Sequence, residues 1–393
     1  MYEKKLSIII PTKNRQVYAA KCVKTLLNCL ENDFEIVVHD NSDDASLREM
    51  LEDVLNNSKV VYAYESSCLS FCDNFERAIE LSCGDYMVMI GDDDCVLPQI
   101  IELTNTVREK NIEAVVFPTP ISYTWPNAVK DDKGTLVIRD KRPYIKTLYT
   151  NSAIKEMMDE GNYDYQYYQF PKIYHGIIKR EKFDCVKEKT GHYFGGLTPD
   201  IYSAISLSFY IEKYLYINYP FTLPGMCAKS GSADSVSGRH TGELKDAPHF
   251  RGHHDYKWDD KVPYLYTVDT IWAETAFKAM QENGLFLEMS DKQYFNFIVY
   301  IARRSDLFID RLADSYSSRT GTNIEKVKCK IRRSVRALNM CYFVKKVYSF
   351  GCQIIQGRHT YRDVADIEKA VLIARETDRK NHKIMNALYK MDW

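Results

Sequence analysis

The chain has 393 residues, enough to bury a large core without staples, and its length suits one large domain with an extension, or two domains, better than a single compact unit. Its 53 basic and 54 acidic residues leave a formal charge of -1, so no overall field draws it to nucleic acid, and its eleven dispersed cysteines form no paired CxxC units of the kind that mark a zinc site. The apolar run before Pro11 is too short for a signal peptide and no stretch approaches the roughly 20 apolar residues of a membrane-spanning helix, so the expectation is a reduced, cytoplasmic protein.

Five short runs rich in Val and Ile, at 6–11, 35–40, 59–64, 86–91 and 113–118, are continuous enough to be buried on both faces. Between them lie segments of helical period at 16–30, 45–57, 70–83 and 96–111. This alternation predicts a parallel α/β sheet covered by helices. In such sheets ligands bind beyond the carboxyl ends of the strands, near the point where strand order reverses. The polar residues just past those ends are therefore the ones to inspect: Thr12 and Asn14, Asp40 and Asn41, Glu65 and Ser66, and Asp92 to Asp94.

Past residue 120 the pattern changes. Residues 121–140 read as loop and hairpin with a turn at Lys133-Gly134, and 161–181 are crowded with tyrosines and end in a strand. A glycine-bearing loop then leads to a helix predicted over 195–215, a strand over 214–223 and a small-residue loop at 229–238. From about residue 241 the chain is polar and His-rich, then helical to the end, which sets a boundary between Arg239 and Phe250: a domain of 1–240 and a mainly helical extension of 241–393. Within the extension, 326–350 form a basic, partly apolar helix. One reading packs it on the first domain with its basic side in water; the other lays it on an anionic membrane surface as a peripheral contact.

The chemistry is concentrated where the apolar run Tyr86 to Ile90 delivers Asp92, Asp93 and Asp94 in succession. Alone, an Asp-x-Asp pair is a common acidic turn that caps the next helix. At the ligand-binding end of an α/β sheet, like charges cost stability unless a cation offsets them. Hard oxygen ligands suit Mg²⁺ or Mn²⁺, which carboxylates usually hold together with substrate phosphates, so a diphosphate would complete the site.

The runs SIIIPTKNR (7–15), IVVHDNSDD (36–44) and NFERAIELSCGDYMVMIGDDDCVLP (74–98) resemble the inverting nucleotide-sugar glycosyltransferases of family 2. That resemblance implies the GT-A fold, a Rossmann-like mixed sheet flanked by helices. It makes Pro11 and Thr12 look like the turn under the nucleotide, with Asn14 and Arg15 in the same loop. Asp40 looks like the contact to base or ribose, and Arg77 like the basic residue that family members keep shortly before the acidic motif. Asp92 and Asp94 are implied as metal ligands, with Asp93 also in the donor site. The common family form is Asp-x-Asp-Asp, and Gly91 stands here in place of the first Asp, which leaves open which of Asp92 and Asp93 touches the metal.

For the general base the resemblance points to Asp200, which follows Gly195, Gly196, Thr198 and Pro199 at the start of a helix, with Asp184 and Glu181 in reserve. Thr-Pro-Asp is equally an ordinary helix N-terminus. His240, in a cluster with His249, His253 and His254, matches a late histidine near the diphosphate that supplies a further metal ligand. Tyr163, Tyr165, Tyr167, Tyr168 and Tyr174 read either as a stacking platform for an acceptor sugar or as a half-buried layer.

The implied activity is metal-dependent, inverting transfer of a sugar from a nucleoside diphosphate, UDP by expectation, to a carbohydrate or lipid-linked glycan in surface polysaccharide synthesis. Two alternatives compete: a nucleotidyltransferase, whose Gly-rich phosphate loop is missing from PTKNRQ, and a non-catalytic glycan-binding or scaffold protein that keeps the fold. Nucleic acid is not an expected partner.

Overall fold

The computed structural model describes residues 5–31, 33–140, 142–228, 241–244, 247–250, 256–378 and 381–393. The first third alternates strand and helix: β1 (Leu6–Thr12), α1 (Gln16–Cys29), β2 (Phe34–Asp40), α2 (Ser46–Met50), β3 (Val60–Tyr64), α3 (Phe71–Glu80), β4 (Tyr86–Met89), β5 (Cys95–Val96), α4 (Gln99–Glu109) and β6 (Ala114–Val116). Every residue of β1, β2, β4 and β6 is buried, which is why each carries consecutive apolar residues (8–10, 36–38, 86–89 and 114–116) rather than a strict alternation. Then come β7 (Ile121–Thr124), β8 (Thr135–Arg139), β9 (Ile145–Tyr149), α5 (Asn151–Glu160), β10 (Gly176–Lys179), α6 (Arg180–Thr190), α7 (Pro199–Leu207), β11 (Lys213–Ile217), β12 (Thr222–Leu223) and β13 (Gly225–Met226). Beyond these lie β14 (Thr241–Gly242), β15 (Tyr266–Thr267), α8 (Val268–Glu282), α9 (Asp291–Arg304), α10 (Ile309–Thr320), α11 (Ile324–Gln356), β16 (Arg358–Arg362), α12 (Ile367–Thr377) and α13 (Asn381–Lys390).

The main sheet runs β3-β2-β1-β4-β10-β6-β11-β9. Its first four strands are parallel, while β10 is antiparallel to both neighbours, so the sheet is mixed rather than wholly parallel. The chain builds outward from β1 to β3, then returns to lay β4 on the other side of β1. The reversal of order thus falls between the ends of β1 and β4, the place where an α/β sheet leaves a crevice.

Three expected elements are shorter than their sequence patterns. The helix expected over 45–57 is α2 followed by turns. Within α2 only Leu47 is buried, and Asn56, Asn57 and Ser58 offer the backbone competing side-chain bonds. The helix expected over 195–215 is α7 alone, preceded by the Gly195-Gly196 loop. The residues after it are recruited to the sheet as β11, where Tyr214, Leu215 and Ile217 are buried. The strand expected over 214–223 is split between β11 and β12.

The core is continuous across the boundary expected near residue 240. One face of the sheet packs with α5, α6, α7 and the helices α8 to α10 in a single cluster that includes Tyr163, Phe183, Ile201, Phe277, Phe297 and Leu312. The last 36 residues return to the other face: β16 pairs antiparallel with β8 over five residues, and Ile367, Val371, Ile384 and Leu388 join Ile8, Val23 and Leu103 in the second cluster. Gly134, at φ +101°, permits that return, since a Cβ there would lie 1.9 Å from the Val364 carbonyl oxygen. Lys21 clamps the start of α12 through Asp366 (3.1 Å) and Glu368 (2.6 Å). No described helix is long and apolar enough to cross a membrane, and the ten described cysteines are free.

Candidate functional site

Thr12 and Asp40 end β1 and β2 in register with each other, so the parallel pairing itself sets them side by side. Asp40 is fully buried. Its carboxylate accepts from the Ser42 amide (3.0 Å) and the Tyr62 hydroxyl (2.9 Å). The two loops beyond are stitched together. Asn14, in the left-handed region at φ 57° that Asn tolerates, donates its amide N–H to Ser42 Oγ (2.8 Å) and exchanges side-chain bonds with Asp43 (2.9 Å each). Pro11 is the residue before this turn, paired opposite His39.

Across the crevice, all three carboxylates of the triplet are buried. Thr12 Oγ1 donates to Asp92 Oδ2 at 2.5 Å, a contact spanning 80 positions of sequence. Arg15 is the counter-ion: its Nε lies 3.0 Å from Asp92 Oδ1 and its Nη1 3.4 Å from Asp93 Oδ1. The first of these is an ion pair without hydrogen-bond alignment, so Asp92 Oδ1 has no hydrogen-bond donor among the described residues. Asp93 Oδ2 accepts from the Cys227 amide (2.9 Å), and the Asp93 carbonyl from Trp125 Nε1 (2.8 Å). Gly225 lies so close that a Cβ there would come within 1.8 Å of the Asp93 carbonyl oxygen.

The three acids are not equivalent. Burial pushes Asp92 up to about 7 despite Arg15, and burial together with Asp94 raises Asp93. Asp94 is the exception: burial opposes its charge, but His175 and the amides of Gly225 and Gly91 outweigh it and hold the carboxyl below its ordinary value. The geometry agrees, with His175 Nε2 at 3.1 Å, the Gly91 and Gly225 amides at 2.7 Å each, and the Tyr174 hydroxyl at 3.2 Å. Asp94, expected among the metal ligands, thus has both oxygens occupied by protein donors.

Among the described residues no group of three His, Cys, Asp or Glu side chains is arranged to hold a metal by itself. The donor set still fits one divalent ion of the Mg²⁺ or Mn²⁺ class. Asp92 Oδ1 is an orphaned, buried hard oxygen beside Asp93, and such ions are commonly held by one or two carboxylates with phosphates completing the shell. His240, His253 and His254 lie outside the described residues; His249 packs against Phe71 and Tyr266. Arg77, expected beside the donor, is half exposed on α3 and pairs with Glu80 (3.2 Å) and Glu65 (3.8 Å), away from the triplet's ion pairs.

Asp200 sits in the first turn of α7. Its Oδ2 accepts from the Tyr165 hydroxyl (3.0 Å), its Oδ1 accepts from the Ile201 amide (2.9 Å), and burial raises its pKa. Tyr174 belongs to the acidic half of the site, bonded to Asp94. Tyr163 and Tyr165 are fully buried and Tyr168 nearly so, with Tyr163 against Phe277 and Phe297, so these rings make a layer; Tyr167 alone is openly exposed. The reserve acids are otherwise engaged: Asp184 accepts from Tyr193 (2.7 Å) and Glu181 pairs with Lys179 (2.7 Å).

Sequence reasoning missed His175, Cys227, Trp125 and Lys172. Lys172 places its ammonium 5.9 Å from the Tyr165 ring centre, with no ion pair among the described residues. Burial lowers its pKa to about 8 against the opposing pull of Asp200 and Asp164. A signal for His175 existed only in retrospect, as a polar residue immediately before the apolar strand β10.

Residues 7–151 match the family model described as glycosyl transferase family 2. Abequosyltransferase RfbV of Salmonella typhimurium is 23% identical over 236 residues, covering 54% of this chain and 66% of that protein. The putative colanic acid biosynthesis glycosyl transferase WcaA of Escherichia coli is 26% identical over 145 residues, 37% of this chain and 52% of that one. The chain therefore spans about half to two thirds of the length of these curated relatives. Among solved structures, S. aureus TarS 1-349 in complex with UDP-GlcNAc covers 85% of this chain and 92% of its own, at 12% identity and a TM-score of 0.47. The family match and the mixed sheet, with its reversal of strand order between β1 and β4, together give the chain a glycosyltransferase family 2-like fold of the GT-A type.

Proposed function

We propose that the protein is a metal-dependent, inverting glycosyltransferase that moves a sugar from a nucleoside diphosphate, UDP by expectation, to a carbohydrate or lipid-linked glycan acceptor. The observation that carries this reading is the cluster at the reversal of strand order: Thr12 and Arg15 in direct contact with Asp92 and Asp93, with Asp40 beside Thr12 at the end of β2. The names of the matched relatives, an abequosyltransferase and a colanic acid biosynthesis transferase, support a role in surface polysaccharide assembly. A cytoplasmic setting goes with that role.

Asp40, whose two oxygens accept from Ser42 and Tyr62, would offer the base or ribose the second lone pair of each oxygen once the strand end is occupied. Asp92 and Asp93 would hold the ion, with Arg15 beside them as a permanent positive charge and Asp94 bracing the turn from below. A bound Mn²⁺ or Mg²⁺ supplies positive charge at the β-phosphate, where negative charge develops in the transition state. Asp200 accepts the proton of the acceptor hydroxyl as that oxygen bonds the anomeric carbon; the bond from that carbon to the diphosphate breaks, and its electron pair leaves with the phosphate. Attack opposite the leaving group inverts the centre, and no covalent enzyme intermediate forms. Tyr165 and the Ile201 amide fix the Asp200 carboxylate, and its raised pKa makes it a stronger base than an exposed Asp.

Isothermal titration with UDP, GDP, CDP and TDP, each with Mn²⁺ and again with EDTA, tests the donor half. One nucleotide should bind in a metal-dependent way, and a variant carrying Asp92→Ala, Asp93→Ala and Asp94→Ala should lose that binding. A folded protein that binds none of the four with or without metal would sink the reading.

A further inference from the structure

The helix α11 runs 33 residues, about 50 Å at the usual rise, from the helical layer back to β16. Its inner face packs on α9 and α10: Val327 and Ile331 are buried, with Val335 and Leu338 partly so. From Asn339 to Val347 every residue is exposed. Met340, Phe343, Val344 and Val347 stand there at 68, 66, 61 and 54% exposure, and their i, i+3, i+4, i+7 spacing puts them on one stripe opposite the packed face. Elsewhere among the described residues, large exposed hydrophobic side chains stand apart from one another in the sequence and need no explanation.

The charge on this helix is as lopsided as its hydrophobicity. It carries eight Lys and Arg against one acid, Glu325, in a chain whose formal charge is -1. Lys328 is neutralised by Asp310 and Glu325, but Lys326, Arg332, Arg333, Arg336, Lys345 and Lys346 have no acidic partner among the described residues. Helical spacing sets Arg333 and Arg336 on the same outer face as Met340, so that face runs from basic to apolar. A second copy docking on it symmetrically would bring like charges together, and nucleic acid would leave the apolar stripe in water. An anionic headgroup layer with acyl chains beneath satisfies both halves.

The packed side of the same stretch of helix lies beside the site. The Lys345 ammonium is 5.7 Å from the ring centre of Tyr167, two positions from the Tyr165 that holds Asp200, and the Arg303 guanidinium stacks on Tyr342 at 3.9 Å to fix the helix there. We propose that the outer face of α11, from Arg333 to Val347, rests on an anionic lipid surface and holds the Asp200 side of the site beside the headgroups. The docking stands on the helix alone; only the orientation toward Asp200, and the consequence that the acceptor is carried on lipid, rest on the transferase reading.

Flotation of the full chain with phosphatidylcholine vesicles, and with vesicles containing about a third phosphatidylglycerol, tests the docking. The protein should float with the anionic vesicles only, and less at high salt. Arg333→Glu with Arg336→Glu should weaken apparent binding by about tenfold or more, and Phe343→Glu with Val347→Glu should abolish it. All four side chains are exposed, so circular dichroism and UDP titration should match the unaltered chain. Absence of flotation with anionic vesicles, or flotation indifferent to both pairs of substitutions, overturns the proposal. So does a dimer in sedimentation equilibrium that Phe343→Glu with Val347→Glu dissolves while no vesicle binds, which would assign the face to a second copy. Flotation without any nucleotide binding upholds the docking and defeats the transferase reading instead.

Discussion

Residues 6–98 reach the site in repeated steps, each polar side chain arriving just after a buried strand, whereas the Asp200 side gathers Tyr165 and Lys172 from loops backed by a helical layer beyond residue 266. On the first side, position follows from sheet register: once β1 pairs with β2 and β4, Thr12, Asp40 and the acidic turn have nowhere else to be. On the second side nothing local fixes the geometry. Leu197 and Thr198, just ahead of Asp200, are held by Thr275 of α8, whose hydroxyl accepts from the Leu197 amide (3.2 Å) and the Thr198 hydroxyl (3.3 Å). One half of the site is thus set by strands and charge, the other by packing between distant segments.

The largest expected effect separates the two halves by function. Asp200→Asn should cut turnover by about 10²- to 10⁴-fold while leaving nucleotide binding intact. In the unaltered enzyme, activity should fall as pH drops through a value above the ordinary carboxylate range, because burial raises the Asp200 pKa and only its ionised form accepts a proton. Tyr165→Phe removes a hydrogen bond that favours the charged form, so that acid limb should move further up. Undiminished turnover in Asp200→Asn would pass the role to Asp184 or Glu181 and dissolve the contrast.

Arg15→Ala comes next and probes the charge-built half. It leaves Asp92 buried with only Thr12 as partner, and removal of one member of a buried pair should cost about 3 to 5 kcal/mol in urea unfolding. Adding Asp92→Asn should recover much of that loss. A loss under about 1 kcal/mol would mean that the pair behaves like a surface ion pair.

The same contrast explains what was legible in the sequence. The strands, their helices and the residues at the strand ends could be read because burial on both faces leaves consecutive apolar residues, and the fold then puts the following polar residue at the crevice. His175 could not be read that way: it meets Asp94 through β10, the antiparallel strand inserted beside β4, and nothing in the sequence announces that insertion. Cys227 bonds Asp93 through its backbone amide, a contact that any residue type but proline offers and that therefore leaves no mark in the sequence. The return of β16 and α12 to the first domain was equally silent, because its helical period is satisfied whichever core it packs on. Asp200 was found through the resemblance, and its chemistry depends on Tyr165, 35 positions away.

The smallest of these effects tests the packing-built half through a group far from either set of charges. Glu274 of α8 is 2% exposed, both of its oxygens accept from the Asp259 amide (3.1 Å each), and burial pushes its pKa from 4.5 to about 7. The folded chain therefore binds this proton more tightly than the unfolded chain does. Its stabilising contribution is complete below about 4.5 and is lost as pH rises through about 7. The loss should amount to about 1 to 3 kcal/mol across that window. Glu274→Gln keeps the shape and removes the charge, so the difference in unfolding free energy between the variant and the parent should move in the variant's favour from pH 5 to pH 8. Because Thr275 is the next residue and carries the Asp200 loop, the protection of the Leu197 amide relative to its base-catalysed intrinsic exchange should fall over the same pH range in the parent and stay level in the variant. Equal exchange in both would show that the loop is held independently of α8, and the two halves of the site would then differ less in construction than their contacts indicate.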